Sequence, residues 1–122
     1  LTITPFDVIH PAQESHALRV EDENGKVLTF SGDSCLTPTL IDAARGADLF
    51  LCEAAFQEGR DSSRGVHLTG RRAGRVATNA DVRSLVLTHI PVWTDCTIVR
   101  GEAAGEYRGP IELAKPEAWW SV

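Results

Sequence analysis

The sequence predicts an α/β fold built around one layered core. Strand-like and helix-like segments alternate along the chain, two short apolar runs have the character of strands buried on both faces, and an Asn-Gly turn joins two further strand-like segments. With 122 residues, 43% of them hydrophobic and 24% charged, the chain suits one compact core and is too short for two ordinary domains. No internal repeat, low-complexity tract or linker divides it.

Taken in order, Phe6 to Ile9 is a short apolar run followed by a loop that includes Pro11. Ala17 to Glu21 and Val27 to Ser31 read as strands. Asn24-Gly25 between them favours the positive φ of a tight turn, so the two should pair antiparallel. Pro38 to Arg45 has helical spacing in Leu40, Ile41 and Ala44, with Pro38 in the first turn and Gly46 placed to end the helix. Asp48 to Cys52, centred on Leu49-Phe50-Leu51, has the length and composition of a central buried strand. Gln57 to Val66 is a polar loop, and Thr69 is the natural N-cap of a helix reaching about Ala80. Ser84 to Thr88 is a second buried strand. A helix over about Thr97 to Tyr107, weakened by Gly101 and Gly105, and a last strand at Ile111 to Ala114 complete the chain.

Several function classes are disfavoured by composition. The net charge of −5 argues against a broad basic surface for gripping nucleic acid, so any phosphate recognition should be local. Nothing approaches the roughly 18 consecutive apolar residues of a membrane span, and no partner membrane is expected. Cys35, Cys52 and Cys96 are odd in number and widely spaced, which suits a reducing compartment and hence the cytoplasm. A chain without Met that starts inside a structured-looking segment is expected to be a piece of a longer protein.

His10, Asp33 and His89 each fall just past an apolar strand run. Strand ends in α/β sheets line the crevice where ligands bind, and imidazole with carboxylate suits Zn²⁺, Mn²⁺ or Fe. An ordinary polar residue at a strand end is the competing reading for each. Arg71, Arg72 and Arg75 follow Thr69, where cations oppose the helix dipole; a solvated basic face is the plainer reading and a phosphate contact the sharper one. Trp93, after Pro91, reads either as a packed side chain under its loop or as a stacking platform for a base. Trp119 and Trp120 suggest packing against a partner surface.

Val8-Ile9-His10, Ser31-Gly32-Asp33-Ser34, Cys52-Glu53-Ala54, His67-Leu68-Thr69 and Leu87-Thr88-His89 occur in this order. Together they resemble the C-terminal half of metallo-β-lactamase-fold hydrolases. The branch resembled most is the one containing ribonuclease Z and bacterial ribonuclease-Z-like phosphodiesterases, including atypical cyclic-nucleotide phosphodiesterases. The resemblance runs from Phe6 to about Leu113. It implies that residues 1–122 form the C-terminal half of an αββα sandwich, a mixed sheet with helices packed on one face. The half bearing the HxHxDH signature is absent, and His16 and His67 do not form that signature.

The same resemblance implies two divalent metal ions, zinc first and manganese or iron as alternatives. His10 matches the third histidine ligand, Asp33 the bridging aspartate and His89 the last histidine. His67 resembles the general acid, and Glu53 the carboxylate that orients it. Such a pair suits the poor alkoxide leaving group of a phosphodiester. Ribonuclease Z usually carries a tRNA-gripping arm between the third histidine and the Gly-Asp motif, and the 22 residues between His10 and Asp33 leave no room for one. The expected substrate is therefore a cyclic nucleotide, an RNA end or another small phosphodiester. The alternatives are a hydrolase of a thioester, lactone or other carbonyl compound, and an inactive half-domain that self-associates as a homo-oligomer.

Overall fold

A computed structural model describes residues 1–12 and 14–122. Its elements are β1 (Thr2–Asp7), β2 (His16–Glu21), β3 (Val27–Phe30), α1 (Pro38–Ala44), β4 (Leu49–Glu53), α2 (Gly70–Asn79), β5 (Leu85–Thr88), α3 (Cys96–Ala104) and β6 (Ile111–Leu113). The strands form one sheet in sequential order, β1 to β6. β2 is antiparallel to both neighbours, and β3 through β6 are parallel. It follows that every strand except β2 ends at the same edge of the sheet.

Each element has a local cause. β2 and β3 are joined through Asp22, whose Oδ1 accepts the Asn24 and Lys26 amides at 2.9 and 2.8 Å, while Gly25 alone takes positive φ, at 77°. The Gly25 amide donates to the Asp22 carbonyl, as in a type I turn closed by a glycine bulge. Thr37 caps α1 by accepting the Leu40 amide, and Pro38 occupies its first turn. Thr69 caps α2 through the Arg72 amide, and Asp95 caps α3 through the Thr97 amide.

The first strand departs from the expectation. It runs Thr2–Asp7 rather than Phe6 to Ile9, and Ile9 is exposed. Pro5 hides the strand in the sequence, yet an edge strand tolerates proline because its outer side forms no ladder. After Asp7 the chain leaves the sheet, and the Ile9 carbonyl accepts the Cys35 amide at 3.0 Å. That bond sets the His10 and Asp33 loops side by side.

The three helices follow right-handed crossovers between neighbouring parallel strands, which places them on one face, with α2 packed between α1 and α3. Between helices and sheet lie Leu40, Phe50, Cys52, Leu68, Leu85, Leu87 and Val99, all essentially inaccessible. Strand alternation puts Ile3, Leu18, Phe30, Leu49 and Val86 on the opposite face. There the outer residues Ile3, Leu18 and Phe30 are exposed, whereas Leu49 and Val86 are buried. The C-terminal segment lies over this face: the Trp120 indole N–H meets the Glu112 carboxylate on β6, and Val122 shares a small cavity with Val20 and Leu28. No helix among the described residues is long and apolar enough to cross a membrane.

Candidate functional site

At the common strand-end edge the fold gathers His10, Asp33, Glu53, His67 and His89. Glu53 is the last residue of β4 and has no solvent exposure. Its Oε1 accepts the Ser34 amide at 3.0 Å, and its Oε2 accepts the amides of Ala55 and Leu68 at 3.1 and 3.2 Å. The fourth partner is His67, whose Nδ1 lies 2.7 Å from Oε1. A carboxylate only accepts hydrogen bonds, so the His67 proton sits on Nδ1 and the Nε2 atom is left for the crevice. Four donors around one buried carboxylate satisfy the polarity that burial would otherwise penalise.

The His67 ring is the centre of the cluster. Its centroid is 5.0 Å from that of His10 and 5.3 Å from that of His89, and Phe56 meets it edge-on at 5.0 Å. His10 Nδ1 is 2.8 Å from the Val66 carbonyl oxygen, an acceptor, so His10 likewise donates from Nδ1 and presents Nε2. His89 Nδ1 lies 2.8 Å from Asp33 Oδ1, and both side chains are about half exposed. His89 has a φ of 59°, unusual for a residue with a Cβ, directly after β5. This turn accompanies the bond to Asp33, and local strain of this kind concentrates at functional sites.

Gly32 precedes Asp33 at φ 59°, where an added Cβ would lie 2.3 Å from the His16 carbonyl oxygen. The expected close backbone approach beside Asp33 is therefore present, and it is made to β2. Cys52, next to Glu53, is kept a neutral thiol because burial pushes its pKa well above the usual value.

Two imidazoles and a carboxylate fit part of a divalent-metal donor set, since N and O donors of this kind suit zinc, manganese and iron. The His10 bond to a backbone carbonyl is also the usual way of orienting a histidine ligand. Among the described residues, however, no group of three or more His, Cys, Asp or Glu is arranged to hold an ion by itself. The residues present fit the group only as one part of a larger donor set.

The helix arginines do not face this site. Arg71 and Arg75 lie 4.0 and 3.3 Å from Glu106, and Arg72 lies 3.4 Å from Glu58. Trp93 does not pack under its loop; it is 78% exposed beside the His67 crevice. Arg60, which the sequence did not single out, lies near it and donates to Asp61 and to Thr94. The Arg60 side chain holds the Asp61 carboxyl below its usual range.

The family model for the beta-lactamase superfamily domain matches residues 1–90. The chain belongs to this superfamily. YhfI of Bacillus subtilis, a metallo-β-lactamase-fold protein of known structure, superposes with a TM-score of 0.85 at 30% identity, covering 93% of this chain and 46% of that one. An uncharacterised protein of Mycobacterium leprae is 47% identical over 111 residues, which is 91% of this chain and 39% of that protein. Ribonuclease Z of Myxococcus xanthus is 41% identical over 95 residues, 74% of this chain and 31% of that enzyme. Human tRNase Z, short form, shares the fold with a TM-score of 0.67 at 20% identity, covering 93% of this chain and 40% of that one. The chain thus spans less than half the length of these superfamily members, and the six-stranded mixed sheet with three helices is the superfamily's architecture over that part.

Proposed function

We propose that the protein to which this chain belongs is a metal-dependent phosphodiesterase acting on a cyclic nucleotide, an RNA end or another small phosphodiester. The observation that carries the reading is the buried Glu53–His67 pair set between His10 and His89. Similarity to ribonuclease Z of Myxococcus xanthus supports a phosphodiester over a carbonyl substrate. His10, Asp33 and His89 would be this chain's contribution to two divalent ions, with further donors from elsewhere in the protein. Such ions, zinc foremost, supply Lewis-acid polarisation of the phosphoryl oxygen and activation of water.

His67 is the proton donor in this reading. Glu53 fixes the ring through Nδ1 and favours the imidazolium, so a proton held on Nε2 can pass to the departing alkoxide. Water forms one P–O bond and loses a proton as the other P–O bond breaks, and the leaving oxygen takes the His67 proton. Phe56 and the neighbouring rings limit water around Nε2, leaving the His67 side chain 17% exposed.

A second reading has support from the same geometry, since a carboxylate bound to one histidine nitrogen is also how metal-ligating histidines are held. Two substitutions in the full-length protein separate the roles. Asp33→Ala is expected to remove most of the metal and abolish turnover. His67→Ala is expected to keep the metal and slow alkyl phosphodiesters by roughly 10²- to 10⁴-fold, while slowing bis(p-nitrophenyl) phosphate far less, because p-nitrophenolate leaves without a proton. Metal analysis with both assays decides it: loss of metal in His67→Ala makes His67 a ligand, and equal slowing of both substrates removes it as the proton donor. Faster turnover of a thioester than of any phosphodiester would move the protein to the carbonyl class.

A further inference from the structure

Beside the Glu53–His67 pair lies a cavity of about 290 Å³ whose outer wall the proposed proton transfer does not use; His67, His89, Phe56, Arg60, Pro91 and Trp93 line it. Trp93 and Val92 are the middle residues of the turn Pro91–Thr94, closed by the Thr94 amide donating to the Pro91 carbonyl at 2.9 Å. Both central side chains point outward, and they are 78% and 98% exposed.

This turn is held from two sides. Thr94 is buried, and its hydroxyl oxygen accepts Arg60 Nη2 at 3.0 Å. Arg60 is itself fixed by Asp61, which takes Nε and Nη2 at 3.0 and 2.6 Å and also the Gln57 amide at 2.9 Å. On the far side Asp95 caps α3. An indole mostly in water is ordinarily a mobile surface group, but here its backbone is tied to the β4–α2 loop and to a helix start. Arg60 is occupied by Asp61 and acts as a positioning residue for the turn.

The cavity's inner wall is the proton donor of the proposed function. A general acid faces the leaving oxygen, so the group carrying that oxygen extends from His67 toward Trp93. The volume is just below the roughly 300 to 1,000 Å³ typical of ligand pockets, which suits one ring system. A flat ring gains most from the exposed indole face, and base–aromatic stacking tolerates any base.

We propose that Trp93, carried on the Pro91–Thr94 turn, is a stacking subsite for the nucleobase on the leaving-group side of the substrate. The inference rests on the phosphodiesterase reading for its orientation and selects base-bearing substrates within it. In the full-length protein, calorimetric binding of adenosine 5′-monophosphate and of ribose 5-phosphate is to be compared for wild type, Trp93→Ala and Trp93→Phe. Steady-state kinetics on a cyclic nucleotide and on its base-free cyclic ribose phosphate complete the test.

Trp93→Ala should weaken adenosine 5′-monophosphate binding and raise KM for the cyclic nucleotide by roughly 10- to 100-fold, with kcat retained. Trp93→Phe should recover most of the loss, and the base-free ligands should respond little to either change. Equal effects on base-bearing and base-free ligands, no effect of Trp93→Ala, or no binding of adenosine 5′-monophosphate by the wild type would overturn the subsite. Phosphodiester hydrolysis indifferent to Trp93 would sink the subsite and leave the proposed function standing. Trp93-dependent nucleotide binding without phosphodiester hydrolysis would do the reverse.

Discussion

Gly32 shows how one residue sets the position of another. Its φ of 59° costs a non-glycine residue about 1 to 2 kcal/mol, and an added Cβ would press the His16 carbonyl oxygen at 2.3 Å. That oxygen belongs to the backbone of β2, so relief requires the sheet edge or the Asp33 loop to move. We expect Gly32→Ala to destabilise the fold by about 2 to 4 kcal/mol, combining backbone strain with overpacking. Thermal or denaturant unfolding measures it, and a change under about 0.5 kcal/mol would refute the account. His89 is the opposite case, a side chain needed at the site in a conformation glycine would adopt more easily. Its bond to Asp33 is what glycine could not supply.

Among the elements, α2 and α3 meet through small residues. A Cβ on Gly70 would lie 2.0 Å from the Val99 carbonyl oxygen, and one on Gly74 would lie 2.6 Å from that of Ala103. Both pairs are spaced four apart, so the helices approach closely along one ridge. Gly101, on α3, meets nothing within 4 Å. Alanine raises helix propensity by roughly 0.8 to 1 kcal/mol over glycine at an interior position. Gly101→Ala should therefore stabilise by up to about 1 kcal/mol. Gly74→Ala has the same propensity gain but meets backbone, and overpacking at about 1 to 3 kcal/mol outweighs it. Chemical denaturation of the two variants should give opposite signs; the same sign for both would reject this packing argument. Because α2 begins three residues after His67, Gly74→Ala should also loosen the crevice.

For the molecule as a whole, the two sheet faces differ. One is sealed by the helices, while the other leaves Ile3, Leu18 and Phe30 exposed beside the tail with Trp119, itself 82% exposed. Contiguous apolar surface on a sheet favours association. We expect the 122-residue chain to self-associate, with sedimentation coefficients rising with concentration, and Phe30→Glu to return it to monomer. A monomer at all concentrations would refute the expectation. The net charge of −5 opposes association modestly, so raising salt should strengthen it.

The sequence by itself determined the elements and much of the site. Two apolar runs, two threonine caps and an Asp-to-Gly turn are read from residues within about four positions of one another, the range over which helices and hairpins are decided. The motifs around His10, Asp33, Glu53, His67 and His89 were also legible, because each sits at or near a strand or helix end. Only the tertiary structure decided that Glu53 is closed in by three backbone amides, that His89 turns back onto Asp33, and that Arg71, Arg72 and Arg75 face Glu58 and Glu106 rather than the crevice. It also decided that Trp93 stands in water and that β1 begins at Thr2 despite Pro5. These outcomes depend on segments tens of residues apart meeting in space, and no local periodicity encodes which of two exposed acids an arginine will reach or which side of a turn an indole will take.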